Sequence, residues 1–244
     1  MTDRLRRPRA LAASVSLAFA LTGLAAAPTA WAGRPMATED ASVGDAGTCQ
    51  LEAWTERSRA DRSHWLKPSC VPFGSTEFAL GAARVRDDAG ERSSRLEWHV
   101  KHLLRETTGE QAGYGLFLGA LRDRSAPGRS GERALKAMAT LPLDGETLVM
   151  HLNAGLVRER NDGQRRTRAL WSAALDRELW SETRGFVEAF ATGSDRPAWQ
   201  VGVQHQLLPG RLQVDAGIGS VAGRWRDTRQ ATVGLVFFTP ALLR

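Results

Sequence analysis

Five histidines, two cysteines and a scatter of carboxylates are the groups in this 244-residue chain that could do chemistry. The histidines stand at positions 64, 99, 102, 151 and 205. Only His99 and His102 are close in sequence, and on a strand that spacing points them to opposite faces. The chain has no His-Glu-x-x-His and no Cys-x-x-Cys, so its spacing points to no metal. A Gly-x-Ser-x-Gly nucleophile elbow, a Walker A loop and a helix-opening Gly-x-Gly-x-x-Gly are missing too. His205 shares a face with Trp199 and Val203, which suits a lipid-acting Ser-His pair, yet no serine matches it on the neighbouring strands. Glu97, Asp176, Glu188 and Asp215 are potential carboxylate pairs whose mutual distances only a structure gives. The expectation is no catalytic residue, no metal and no cofactor.

The elements that carry these residues are strands. From Arg211 to Ser220, Leu212, Val214, Ala216 and Ile218 fall on one face, and Arg211, Gln213, Asp215, Gly217 and Gly219 on the other. The run Thr147–Val157 sets Leu148, Met150, Leu152, Ala154 and Leu156 against His151, Asn153 and Gly155. Twelve strands are expected: 48–57, 62–70, 74–86, 92–105, 111–123, 132–141, 146–158, 168–178, 184–192, 197–207, 211–220 and 229–238. A soluble β-sandwich would turn the apolar face to a core. An outer-membrane barrel would turn it to lipid and the polar face to a lumen. Runs near ten residues match a tilted transmembrane strand. An all-β, antiparallel, up-and-down transmembrane β-barrel is therefore expected.

In that barrel the lumen is lined by Glu52, Lys67, Glu97, His99, Lys101, His151, Asn153 and Asp215. Gln50, Trp54, Glu77, Asp176, Glu188, Gln200, Gln204 and Gln213 share their face. Opposed charges are expected to bridge and narrow the passage. An even strand count places both termini in the periplasm. Connections after even strands read as compact, whereas Arg124–Gly131 and Glu159–Thr167 read as longer outer loops. The five arginines between Arg158 and Arg168 suit anionic lipopolysaccharide headgroups, with a plain solvated loop as the alternative.

The cysteines set a register. If strands 1 and 2 turn between Arg59 and Ala60, Cys49 lies opposite Cys70, Glu52 opposite Lys67 and Trp54 opposite Trp65. Opposed Cα atoms are about 4.5–5.5 Å apart, which a disulfide accepts. A Cys49–Cys70 disulfide is expected, formed in an oxidising compartment.

The N-terminus reads as a secretory signal peptide over 1–32. Arg4, Arg6, Arg7 and Arg9 precede an uncharged stretch from Ala10 to Ala27, and Ala30-Trp31-Ala32 sets cleavage between Ala32 and Gly33. Of the net charge of +6, this piece holds +3, from four Arg and Asp3. The +3 that remains weakens any case for nucleic-acid binding. Residues 33–47 carry no strand pattern and are expected as a periplasmic or plug-like segment ahead of a barrel over 48–244.

Several phrases occur together: Arg34-Pro35-Met36-Ala37-Thr38-Glu39-Asp40-Ala41, Gly47-Thr48-Cys49-Gln50-Leu51-Glu52-Ala53-Trp54, Pro68-Ser69-Cys70, His151-Leu152-Asn153-Ala154-Gly155, Trp199-Gln200-Val201-Gly202 and Leu212-Gln213-Val214-Asp215. With these the chain resembles the bacterial outer-membrane barrel family named after the meta-pathway of phenol degradation (MetA-like), described as transporters. The resemblance implies an outer-membrane, porin-like barrel that passes or binds small molecules, hydrophobic or aromatic ones among them. One departure is that Phe237 and Phe238 are followed by Thr239–Arg244, whereas many such barrels end on an aromatic. Expected partners are membrane lipid and lipopolysaccharide, an unidentified small solute and the outer-membrane assembly machinery, around a monomer. The rivals are a structural barrel, an outer-membrane enzyme acting on lipid, and a soluble periplasmic sandwich.

Overall fold

Alternation through most of the chain gives each strand one apolar and one polar face, and closing the sheet removes its edges. The computed structural model describes residues 36–124, 131–161 and 164–243. Ala32 and Gly33, and with them the expected cleavage site, lie outside the described residues. The strands are β1 (Cys49–Arg57), β2 (Asp61–Phe73), β3 (Thr76–Asp87), β4 (Arg92–Arg105), β5 (Gly113–Asp123) and β6 (Gly131–Asp144). They continue as β7 (Leu148–Asn161), β8 (Gln164–Trp180), β9 (Thr183–Thr192), β10 (Ala198–Leu208), β11 (Leu212–Val221) and β12 (Gln230–Phe238). Each pairs antiparallel with its sequence neighbours, and β12 closes on β1 through eight opposed pairs from Gln50–Phe238 to Arg57–Ala231.

Burial is inverted relative to a soluble domain. Gln213, Gln204, Asp215 and Glu188 are buried inside, while Leu80 is 67% exposed and Leu66, Leu118, Ile218 and Val233 are about half exposed outside. Such a wall is stable only against hydrocarbon, and only a closed barrel satisfies its backbone there. Placing Arg at the bilayer midplane of such a barrel costs about 2–4 kcal/mol. Leu118→Arg, mid-strand on the outer wall, is therefore expected to lower the unfolding free energy in lipid by that amount. A substitution without effect on urea unfolding in vesicles would argue against the lipid-facing assignment.

The β1–β2 hairpin has the register in which opposed residues sum to 119. Cys49 and Cys70 form a disulfide with Cα atoms 4.0 Å apart. Lys67 Nζ lies 2.9 Å from Glu52, and the Trp54 and Trp65 rings stack with centroids 5.2 Å apart. A crosslink with a sequence separation of 21 restricts the unfolded chain by about 3 kcal/mol. The pair Cys49→Ser and Cys70→Ser should lose about that much stability, read as a lower temperature for loss of the folded gel band.

The expected long loop Glu159–Thr167 is a correction. Nearly all of it is strand: β7 runs to Asn161 and β8 starts at Gln164, with Arg158–Thr167, Glu159–Arg166 and Arg160–Arg165 opposed. The register of the hairpin continues past the apolar band because Arg168 Nη2 and Nε hold Glu159 across it. The loop lengths also fail to sort by end: the turn 58–60 is short, and the β4–β5 connection 106–112 is longer than expected of an inner turn.

Candidate functional site in the barrel lumen

Residues 36–43 lie inside the lumen, held by its wall. The backbone N–H groups of Ala37 and Thr38 donate to the Glu188 carboxylate of β9, at 2.9–3.1 Å, and Thr38 Oγ1 donates to it at 2.7 Å. Glu39 N–H donates to Asn153 Oδ1 of β7, and Asn153 Nδ2 returns a bond to the Glu39 carbonyl, both at 2.8 Å. Ala41 N–H donates to Thr140 Oγ1 of β6 at 2.8 Å. An irregular segment inside a barrel must satisfy its backbone on the wall, because the wall's own backbone is used up in the sheet.

Charge anchors the same segment. Asp40 pairs with Lys101 of β4, and Lys136 of β6 lies 3.2 Å from Glu39. Burial alone would raise the Glu39 pKa, but Lys136 and then Lys101, His99 and Lys67 outweigh it and hold the carboxyl well below the usual range. Ala41 is fully buried against Leu103, Phe117 and Met138, with Val43 beside it. The seat requires a glycine: a Cβ on Gly119 would stand 2.7 Å from the Phe117 ring. Lys136 Nζ sits 4.0 Å from the same ring's centroid. The segment leaves the lumen at the end where β1 begins and β12 ends. There Gly47, at φ +87°, accepts from Leu242 and Leu243 N–H and donates to the Val71 carbonyl. A side chain at Gly47 would strike the Leu243 carbonyl oxygen.

Between this plug and the wall lies a cavity of about 590 Å³, lined by charged groups including Asp40, Lys67, Lys101, Asp176 and Arg184. Glu106 and Glu146, in connections at the end where β1 begins and β12 ends, also line it. Inside it His99 Nε2 meets Glu77 at 3.0 Å, and Arg184 Nε donates to Asp176 at 2.8 Å. Thr140 Oγ1, already accepting from Ala41, stands 2.9 Å from His151 Nδ1.

All eight lumen candidates face inward. Lys101, His151 and Asn153 meet in the plug seat, His99 lies beside them, and Glu52 pairs with Lys67 near the β1–β2 disulfide. Glu97 lies over Gly81, and Asp215 is buried opposite Gln204, away from the plug contacts. The expected closure by charges bridging the lumen is corrected. The wall's own pairs join adjacent strands, as Glu52–Lys67 and Asp176–Arg184 do, or reach one strand further, as Arg95 of β4 does to Asp61 of β2, whereas Lys101 and Lys136 reach carboxylates of the plug. Among the described residues no group of His, Cys, Asp and Glu is placed to hold a metal. On the outer wall His205 Nδ1 is 2.7 Å from Thr183 Oγ1, and its other opposed residue is Val214.

Lys136, Thr140 and the apolar seat formed by Leu103, Phe117 and Met138 were not among the sequence candidates. A signal for Lys136 exists: the chain has three lysines, Lys67, Lys101 and Lys136, and all three face the lumen.

A closed antiparallel wall, apolar outside and polar inside, with a plugged lumen, defines a transmembrane β-barrel. Residues 20–231 match the family described as Uncharacterised conserved protein UCP029691, and the chain belongs to that family. No curated protein sequence matches it. Among solved structures it is similar to the KdgM porin, alone and in complex with disordered oligogalacturonate. Each has a TM-score of 0.59 and 10% identity, covering 77% of this chain and 98% of the other. It is also similar to the NanC porin, with a TM-score of 0.51 and 10% identity over 78% of this chain and 98% of that one. At such identity the likeness is one of fold. The barrel implied by the family resemblance stands; the description of the matched family says nothing of the phenol-degradation meta-pathway type.

Proposed function

We propose that the protein is a monomeric outer-membrane barrel, inserted by the outer-membrane assembly machinery, whose lumen binds and passes a small polar or charged solute. Its N-terminal segment is the element that closes the path. The observation that carries this reading is the seat of residues 37–41, held by strands on several sides of the lumen beside a cavity of about 590 Å³. That volume suits a small molecule. A hydrophobic or aromatic solute, as the meta-pathway resemblance implies, would find Met36, Val43, Leu103 and Val149 in the lining but would have to desolvate Lys101, Asp176 and Arg184 beside them. The similarly folded KdgM porin shows that this architecture can serve as a porin, and the reading here rests on this chain's own lumen. No catalytic step is part of the proposal.

Liposome swelling tests it. Vesicles containing the chain without residues 36–43 should admit small charged or hydroxylated solutes faster than protein-free vesicles, with larger solutes excluded, and vesicles containing the full chain should admit them more slowly. Equal rates for every solute, with protein shown to be folded, would remove the passage claim and leave a structural barrel.

A further inference from the structure

We propose that the outer wall carries a binding site for a phosphorylated lipid headgroup, built from an arginine ladder at the barrel end opposite the start of β1 and the end of β12. The proposal rests on the outer-membrane reading above, which makes that end the extracellular one. Arg57 opposes Arg62, Arg62 opposes Arg86, and Arg86 opposes Arg92, so four arginines on β1 to β4 form one row across the sheet. All four are exposed. Their neighbours along the strands fix which way they point. Trp54, Trp65, Ser63, Ala83 and Val85 are buried inside at the alternate positions, so the ladder faces out.

Two features make this row unlike an ordinary solvated rim. Directly opposed like charges destabilise a strand pair, and here they are stacked three times in succession. Among the described residues, none of the four arginines forms an ion pair with a carboxylate. The nearby Asp61 is taken by Arg95 on the inner face, and Asp87 accepts from the Glu91 backbone within its own turn. The pattern recurs farther round the wall, where Arg133 opposes Arg158 and Arg160 opposes Arg165.

The position selects the ligand. Four residues down the same strands the row reads Ala53, Leu66, Ala82 and Leu96, which is apolar and lipid-facing. At about 3.3 Å per residue, the ladder stands roughly 13 Å farther along the strands, beyond hydrocarbon and level with headgroups. Guanidinium groups bind phosphate through paired N–H donors, and a phosphate shared between neighbouring rungs would neutralise the repulsion. Spacing of about 4.8 Å between strands gives the row a length of roughly 14 Å, enough for more than one phosphate. The lysines, by contrast, are all inside.

The test uses the full chain in detergent and native mass spectrometry. The probes are diphosphoryl lipid A, the same glycolipid without phosphates, and inorganic phosphate. The wild type should retain diphosphoryl lipid A, and the double variant Arg62→Gln/Arg86→Gln should bind it at least tenfold more weakly. The dephosphorylated glycolipid should bind both weakly and alike, and millimolar inorganic phosphate should not displace the lipid. Equal retention by wild type and variant would overturn the proposal, as would equal retention with and without phosphates. Displacement by inorganic phosphate alone would overturn it in favour of a free-phosphate site. Because removing like charges relieves repulsion, the variant should keep the folded gel band in lipid-free detergent. If it does not fold, Arg62→Lys/Arg86→Lys, which keeps charge but loses paired donors, should show weakened retention, and undiminished retention would count against the ladder. Loss of lipid binding with intact solute passage sinks only this inference, whereas a chain that fails to form a barrel sinks both.

Discussion

Deleting residues 36–43 is expected to raise conductance in planar bilayers at least tenfold over the full chain. The deletion removes the only element described inside the lumen and leaves the sheet untouched, because β1 begins at Cys49 and its pairing with β2 and β12 does not involve the segment. It also exposes Glu188, Asn153, Thr140 and Lys101, the groups that now hold the plug, to water that can hydrate them. The cost falls on packing around Leu103, Phe117 and Met138, which lose the Ala41 contact, so a small drop in stability should accompany the gain in current. Unchanged conductance, with the folded gel band retained, would mean that the wall itself closes the path and that the segment is incidental.

Lys101→Met should release the plug without removing it. Lys101 is the partner of buried Asp40, and both are nearly excluded from solvent. Removing one member of a buried ion pair typically costs about 3–5 kcal/mol, because the other charge is left in a medium that does not solvate it. Here the loss can be avoided by undocking, so the energy appears as a shift in the docked population of roughly 10²- to 10⁴-fold. Frequent opening events in single-channel records, together with faster protease cleavage within residues 36–45, are the expected readouts. Lys101→Arg keeps the charge and should restore most of the docked state. A Lys101→Met channel as quiet as wild type would place the anchoring in the Glu188 and Asn153 contacts instead.

Much of the wall was legible in the chain itself, for a physical reason. A strand with one face in lipid and the other in a polar lumen must alternate, and a register slip would put Arg211 and Asp215 into hydrocarbon. The boundaries of β4 and β12 follow closely from this. The β1–β2 register was readable because three complementary pairs coincide in it. Where the alternation outlasts the apolar residues the reading fails. Arg158, Arg160 and Arg165 look like a loop by composition, yet they continue the ladder, since cross-strand hydrogen bonding does not require apolar side chains. The plug shows the opposite limit. Residues 36–48 have no periodicity because they bond to side chains from several strands, an arrangement that leaves no local pattern. Glu39 and Asp40 were visible as charges, but their lysine partners lie 97 and 61 positions away. The apolar seat at Phe117 was hidden for a related reason: in Tyr114-Gly115-Leu116-Phe117-Leu118 both faces carry apolar residues, so parity alone does not announce a seat.

The central claim is a closed, lipid-embedded barrel, and a heat-shift gel on isolated outer membranes tests it most directly. A folded barrel resists detergent until boiled, because every strand is hydrogen-bonded on both sides. The chain should run as a band in the outer-membrane fraction that migrates differently before and after boiling. A protein found in the soluble periplasmic fraction, with one mobility at both temperatures, would contradict it and turn the polar lumen into a solvent-exposed face.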